Sequence, residues 1–279
     1  MDQIENLHTT DLQTFMDKHV RNNPKSLVVS GAGIGHDELV DMAVRNLGHL
    51  QQQSQEVENT ITPSVYRGGD YRVKHTTEDK FTHVAIGFEV GGWSSDDLVP
   101  TCVLQSLLGG GSSFSAGGPG KGMYSRLYRQ VLNRNSWAES AEAFIVFHNE
   151  AGMIGITGSS VPKKAADMAQ VIRDQFMVLA NQLVTDEEFD RARRMLTNSV
   201  LMQLESRLVL FEDMGRQVLA YGYREDTYEM SRKIDAVTKE DLRQLVQRAI
   251  RKPPSLAAVG DDVSSVPAYD DVQRWFAQK

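Results

Sequence analysis

The segment Gly109–Gly122, with the sequence GGGSSFSAGGPGKG, constrains the fold most strongly because seven of its fourteen residues are glycine. Glycine loses the most conformational freedom on ordering and therefore disfavours the interior of a helix or strand. An apolar run, Val99–Leu108, precedes the segment, and Met123–Arg134 follows it with helical spacing. We therefore predict a long loop between two helices. Loops of this length in compact domains are usually functional or disordered.

The composition is that of a globular protein with an acidic balance. The 279 residues are 41% hydrophobic and carry a formal net charge of −7, which disfavours nucleic acid as a partner and favours a basic one. The one cysteine, Cys102, lies in an apolar helical run, so a packing role is expected. No apolar stretch reaches the ~20 residues that cross a bilayer. Residues 1–10 lack arginine, so they predict neither a secretory signal nor a transit peptide.

The spacing of apolar residues predicts the remaining elements. Strands are expected at Ser26–Ser30, Tyr71–Thr76, Phe81–Val90, Ala138–His148, Gly152–Ser159 and Ser255–Val259. Helices are expected at Asp11–Val20, His36–Leu50, Asp96–Leu108, Met123–Arg134, Lys163–Leu183, Asp186–Ser206, Leu208–Tyr221, Thr238–Ile250 and Tyr269–Ala277. Thr10 is expected to cap the first helix, and Thr185–Glu188 to form a capping box.

The order of these elements is typical of an α+β fold. Two strand patterns flank the turn Asn149–Ala151 as an antiparallel hairpin, and long helices follow them in pairs. We expect a mainly antiparallel sheet with helices packed on one face. The polar run Gln51–Asn59 and the Pro- and Gly-containing run Thr60–Asp70 are the best candidate for a linker. Residues 1–62 are therefore expected to form a separate piece, and residues 63–279 the main domain.

Two glycine patterns point towards nucleotides, and both fall short of the known motifs. A phosphate-binding loop ending at Lys121 would need a glycine at position 115 and a Ser or Thr at position 122, where Ser115 and Gly122 stand. The Gly31–Gly35 run follows a strand pattern and opens a helix pattern, but His36 stands where the third glycine of a dinucleotide fingerprint belongs. A plain turn is favoured there, and a nucleotide-binding enzyme remains the weaker alternative.

The sequence contains no catalytic motif of a standard kind. No two of its seven histidines stand in an HExxH or HxxEH arrangement, and no serine stands in a GxSxG turn. His83 and His148 lie in strand patterns, where packing or surface roles are expected. The acidic groups Asp96-Asp97 and Asp186–Glu188 stand at helix starts, where they complement the helix dipole and add to a field that favours cations.

The run Leu107–Tyr128 closely resembles the glycine-rich loop of the pitrilysin/insulinase-like metallopeptidases, and within them that of α-type subunits of mitochondrial processing peptidases. The core subunits of the respiratory cytochrome bc complex belong to the same family. The resemblance covers essentially the whole chain, as shown by further matching residues at Tyr66–Gly69, Phe88-Glu89, Gly92-Trp93, Ala143-Phe144 and Gly152.

The resemblance implies a pitrilysin-like metallopeptidase fold. Residues 1–62 would then be the C-terminal remnant of a first domain, a partial copy of a similar fold, and residues 63–279 would be a second, inactive domain. Because most of the first domain is not in this sequence, a fragment, a split-gene product and a shortened subunit all remain open.

The resemblance also implies a function. The chain would be a non-catalytic, substrate-recognition subunit that binds basic presequences for cleavage at the HxxEH zinc site of a catalytic β subunit. No metal or other cofactor is expected in this chain itself. The alternative is a structural core subunit of the cytochrome bc complex (complex III). Either role implies the mitochondrial matrix or the matrix face of the inner membrane.

The presequence would bind along the glycine-rich loop. The resemblance and the exposed peptide groups of such a loop assign the contact to every residue of the segment, with emphasis on Phe114 and on Gly117–Gly122. The candidate residues are Gly109, Gly110, Gly111, Ser112, Ser113, Phe114, Ser115, Ala116, Gly117, Gly118, Pro119, Gly120, Lys121 and Gly122.

Overall fold

The computed structural model describes residues 4, 6–18, 27–53, 63–75, 80–112 and 123–277. The chain divides into two compact units. The first unit contains Met1–Pro63 and Leu201–Glu225, and the second contains Ser64–Val200 and Asp226–Lys279. The division at residues 62 and 63 into a remnant of one domain and a complete second domain stays a prediction.

Helices occur in both units, whereas the strands of the described residues belong to the second unit. The helices are α1 (Thr9–Met16), α2 (His36–Leu47), α3 (Leu98–Leu108), α4 (Ala165–Asn181), α5 (Asp186–Leu204), α6 (Arg207–Tyr221), α7 (Thr227–Ala236), α8 (Lys239–Ala249) and α9 (Tyr269–Phe276). The strands are β1 (Gly69–Lys74), β2 (Thr82–Gly91), β3 (Gly110–Ser112), β4 (Ala138–Phe147), β5 (Ala151–Ser160) and β6 (Ser255–Gly260).

The strands of the second unit form one six-stranded sheet in the order β1-β6-β2-β5-β4-β3. The pair β1 and β6 is parallel, and the other neighbours are antiparallel. The predicted β4–β5 hairpin is confirmed, with Phe147 opposite Gly152. The α+β prediction of a mainly antiparallel sheet with helices is therefore confirmed.

The core of the second unit lies between one face of this sheet and its helices. Val84, Ile86 and Phe88 alternate along β2 and are completely buried, as the period of two predicts. The Phe88 ring meets Phe176 of α4 and Phe276 of α9 edge to face, with ring centroids 5.0 and 4.8 Å apart. We call this side of the sheet the inner face and the opposite side the outer face.

Two helices of the second unit begin at threonine caps. At α8 the box is complete: the Asp241 amide donates to the Thr238 hydroxyl at 3.1 Å, and the Thr238 amide donates to the Asp241 carboxylate at 2.8 Å. At α5 the Glu188 amide donates to the Thr185 hydroxyl at 3.2 Å. The Glu188 carboxylate forms an ion pair with Arg126. The predicted cap therefore holds the first turn of α5, and its carboxylate contributes to tertiary structure.

Three local predictions are wrong. Residues 27–30 pair with no strand of the described chain, and their apolar side chains Leu27 and Val29 are 41% and 44% exposed. The predicted helix Met123–Arg134 is helical only over residues 126–132, and its second part is a π-helix over Tyr128–Leu132. Thr10 lies inside α1, because the N-cap position belongs to His8.

The described residues of the first unit form helices and connecting segments. The Ser30 hydroxyl donates to the Phe211 carbonyl at 2.8 Å, which joins residues 27–30 to α6. Helix α6 ends where the sequence predicts, at Gly222, whose φ of 80° is the left-handed conformation that favours glycine.

Candidate functional site

The structure describes the first four of the fourteen predicted contact residues. Gly109 ends α3, and Gly110–Ser112 form β3, which pairs with β4 at the edge of the sheet. The loop prediction is therefore wrong for these three residues: a short strand continues the sheet before the rest of the segment begins. The remaining predicted contacts, Ser113–Gly122, lie outside the described residues.

Two of these glycines are required by their surroundings. Gly109 has a φ of 54°, and a Cβ atom there would lie 2.4 Å from the Cβ of Ser125. Gly110 has a φ of 116°, and a Cβ atom there would lie 2.0 Å from the Ala141 carbonyl oxygen. Both positions combine a backbone conformation that L-residues rarely adopt with a contact that leaves no room for a side chain.

The start of the glycine-rich segment is hydrogen-bonded to a residue that follows the segment. The Gly110 amide donates to the Ser125 hydroxyl at 3.0 Å. On the other side, the Ala143 amide of β4 donates to the Gly109 carbonyl at 2.9 Å. We call Gly109–Ser112 together with Ser125 and Arg126 the stem. The stem makes the glycine-rich segment leave and return at one place on the sheet edge.

A buried ion pair holds the returning side of the stem. Arg126 is 6% exposed, and its guanidinium lies 3.2 Å from a carboxylate oxygen of Glu188 and 3.1 Å from the amide oxygen of Gln175. Burial lowers the pKa of Arg126, and the Glu188 carboxylate opposes that shift. Arginine still keeps its charge at neutral pH, so both partners are needed to compensate it.

Carboxylates line the departing side of the stem. Glu142 is exposed and stands directly opposite Gly110 in the β3–β4 pair. The Ser112 hydroxyl donates to the Glu139 carboxylate at 3.4 Å. Together with the net charge of −7, these groups favour a cationic ligand over an anionic one at this edge.

The described residues contain no cluster of three or more His, Cys, Asp and Glu side chains that could hold a metal ion. Within the same residues, no helix is long and apolar enough to cross a membrane. Burial raises the pKa of the Cys102 thiol to about 11, which opposes formation of the nucleophilic thiolate at neutral pH.

The weaker nucleotide alternative loses its structural basis. A dinucleotide fingerprint needs a strand before the glycine turn. Residues 27–30, which precede Gly31–Gly35, form no strand with any described part of the chain. The plain turn favoured by the sequence leads directly into α2 at His36.

Sequence reasoning missed the residues that hold the stem. Gln175 and Glu188 stand 49 and 62 positions from Arg126, so no local spacing connects them. Arg126 itself lies in a run with helical spacing, where an arginine normally points to solvent. The one local signal was Thr185. It predicted Glu188 as part of a capping box at the start of a helix, and it did not indicate the ion pair with Arg126.

Comparison with known proteins gives consistent matches. The family model described as "Peptidase M16 inactive domain" matches residues 6–196. Mitochondrial-processing peptidase subunit alpha from Solanum tuberosum is 38% identical over 279 residues, covering 99% of this chain and 54% of that protein. The human protein of the same name is 34% identical over 278 residues, covering 95% and 53%. The Caenorhabditis elegans one is 36% identical over 277 residues, covering 92% and 53%.

A solved structure has a similar fold. A chain of complex III2 from Candida albicans, with Inz-5 bound, matches with a TM-score of 0.75 and 18% identity, covering 88% of this chain and 57% of that chain. This chain spans about half the length of the relatives that it matches. The family model covers most of the chain, and the sequence resemblance is confirmed. The chain belongs to the peptidase M16 family, the pitrilysin/insulinase-like metallopeptidases.

Proposed function

We propose that this chain is a non-catalytic, substrate-recognition subunit of a mitochondrial processing peptidase. It binds the basic presequences of imported precursors through Gly109–Gly122 and presents them to a catalytic β subunit, which holds the zinc ion. The relatives named as alpha subunits support this role, as does the match to a family model described as inactive. The chain then works in the mitochondrial matrix or at the matrix face of the inner membrane.

The observation that carries the proposal is the stem. A glycine-rich segment leaves and returns at one sheet edge through the bond between Gly110 and Ser125 and the buried Arg126–Glu188 pair. A plain connector needs no buried ion pair at its base. Because breaking such a pair is costly, the pair keeps the base of this segment in place. The stem supports a segment with a fixed base and a glycine-rich body.

Glycine suits the recognition of variable peptides. Presequences are arginine-rich and amphipathic, and they share little sequence. Peptide groups without side chains can follow different backbones, whereas a pocket shaped by side chains selects one. Ordering a residue costs about 1–2 kcal/mol in backbone entropy, so binding is weak and release is fast. The Glu139 and Glu142 carboxylates at the stem favour the basic side chains.

The alternative role is a core subunit of complex III. The similar chain of the Candida albicans complex, at 18% identity, supports a shared fold and carries no argument about role. Purification from mitochondria separates the two. The proposed role predicts that this chain co-purifies with a subunit containing HxxEH, whereas a core role predicts co-migration with haem-containing subunits of the inner membrane.

The test replaces residues 113–122 with a short Gly-Ser linker that joins the two sides of the stem. Reconstituted with a catalytic β subunit, this variant should raise KM for a presequence substrate or lower turnover, while zinc content stays unchanged. The control is Glu150→Gly, in the turn of the β4–β5 hairpin, and it should leave the kinetics as they are. Unchanged kinetics in the linker variant would contradict the proposal.

A further inference from the structure

The outer face of the sheet carries a cluster of apolar side chains. Antiparallel sheets with one face in water alternate apolar and polar residues. Residues directly opposite each other share a face, so the register assigns Ala85 and Glu89 of β2 to the outer face, together with Met153, Gly155 and Thr157 of β5. Most of these residues are small or polar, as expected for a face in water, and Met153 is the large apolar exception.

The apolar part of the outer face is concentrated over β4 and β5. Phe144 is opposite Gly155, and Val146 is opposite Met153. A Cβ atom on Gly155 would lie 2.3 Å from the Phe144 ring, so the ring lies over this glycine. The Met153 sulfur lies over Gly87 in the same way, 3.0 Å from the position of a Cβ atom. We call Phe144, Val146 and Met153 the outer patch.

The side chains of the outer patch are accessible. Phe144 and Met153 are half-buried, and Val146 is 46% exposed. Contiguous exposed apolar surface on a sheet marks an interaction site more often than isolated apolar residues do.

The outer patch lies close to the stem. Glu142 lies two residues before Phe144 on β4 and shares the outer face with it. Glu142 also pairs with Gly110 of β3. Two residues along a strand span about 7 Å, and neighbouring strands lie about 5 Å apart. Phe144, the nearest residue of the outer patch, is therefore about 9 Å from Gly110, which an extended peptide held at the base of the glycine-rich segment spans in about three residues.

We infer that the outer patch binds the apolar side chains of the presequence while its basic side chains contact Glu142 and Glu139. This inference rests on the proposed function and assigns a second contact surface to the same peptide.

The charges around the outer patch favour a basic, amphipathic peptide as the ligand. On the β4 side the carboxylates are Glu142, which is exposed, and Glu139 at the stem. On the β2 side the carboxylate of Glu89 is paired with Lys252 at 2.7 Å. Negative charge is therefore concentrated on the side of the stem. An apolar strip next to carboxylates matches an amphipathic basic peptide, whereas an apolar subunit interface would leave Glu142 with a desolvation cost.

The test titrates the full chain with a fluorescent synthetic peptide of Arg and Leu in amphipathic order. Val146→Ser should weaken binding about fourfold, because roughly half a valine side chain loses its contact. Val146→Lys should weaken it by more than about tenfold, since it also repels arginine. The matched controls are Val161→Ser and Val161→Lys, since Val161 is 43% exposed and directly follows β5, eight residues or about 27 Å of extended chain from Met153. Both should bind as the unchanged chain does.

A second peptide, with each Leu replaced by Ser and each Arg kept, should bind the unchanged chain and Val146→Ser equally. Full-strength binding of the Arg/Leu peptide to both Val146 variants would overturn the inference, as would equal losses at Val161. Weaker association with a catalytic subunit and unchanged peptide binding would make the patch a subunit interface and also overturn it.

If only the linker variant of residues 113–122 loses binding, this inference fails and the proposed function stands. If the unchanged chain binds no peptide, both fail.

Discussion

The Gly110 amide donates a hydrogen bond to the Ser125 hydroxyl at 3.0 Å, across fifteen positions of the chain. This bond joins the edge strand β3 to the residue that precedes the buried Arg126. It explains how a segment rich in glycine can have a defined base on the sheet.

Ser125→Ala removes the acceptor of this bond. The Gly110 amide then loses its partner, and we expect a loss of about 1 kcal/mol in the free energy of unfolding. Hydrogen exchange measured by mass spectrometry should show faster exchange over Gly109–Ser112. Ser94→Ala, at an exposed turn, is the control and should exchange as the unchanged chain does. Equal exchange in both variants would show that the bond does not hold the stem.

Arg126→Ala breaks the buried pair with Glu188. Because the carboxylate and Gln175 lose their cationic partner, we expect a loss of about 3 kcal/mol in unfolding by urea. The matched control is the surface pair Arg191–Glu187, whose side chains are 29% and 78% exposed. Arg191→Ala should cost less than about 0.5 kcal/mol. A double-mutant cycle with Glu188→Gln that gives no coupling would contradict the assignment of the pair to the stem.

Gly155→Ala places a methyl group where the Phe144 ring lies. The contact distance of 2.3 Å forces the ring or the strand to move, and the Ile86 carbonyl oxygen at 2.9 Å blocks the other direction. We expect a cost of about 1–3 kcal/mol, typical of overpacking. Gly48→Ala meets only Val44, at an ordinary contact distance of 3.8 Å, and has an ordinary φ of −59°, so that control should not lower the temperature of thermal unfolding.

The Cys102 thiol provides a pH test of the core. Burial raises its pKa to about 11, so the neutral thiol predominates in the folded protein up to that pH. At pH 8 its thiolate fraction is about a hundredfold lower than that of an unfolded cysteine, and alkylation by iodoacetamide should be slower to match. The rate should rise as the pH approaches 11, and it should reach the ordinary value in urea. Equal rates in folded and unfolded chains at pH 8 would contradict the burial of this thiol.

The sequence predicted the elements whose signals are local. The alternation of Val84, Ile86 and Phe88 gives the buried face of β2, and Gly222 gives the end of α6. The β4–β5 hairpin follows from two strand patterns around a short turn. In each case the local pattern and the tertiary structure require the same residue types. A hydrophobic period or a capping residue is therefore sufficient to predict the element.

Other features depend on contacts between distant residues. The apolar residues 27–30 have the composition of a strand, but a strand also needs a partner, and the described chain provides none. Gly110–Ser112 have the composition of a loop, yet they pair with β4, because Gly110 fits against the Ala141 carbonyl where a side chain could not. The Arg126–Glu188 pair spans 62 positions, beyond any spacing rule.

The central claim is that this chain binds presequences along Gly109–Gly122 and the neighbouring outer face. The most direct measurement is photo-crosslinking of an arginine-rich presequence peptide, with benzophenone on its apolar side, followed by mass spectrometry of the crosslinked chain. We expect the crosslinks to lie within Gly109–Gly122 and on β4 around Phe144 and Val146. Crosslinks confined to other regions, such as the first unit, or an absence of crosslinking at peptide concentrations that saturate the reconstituted enzyme, would contradict the claim.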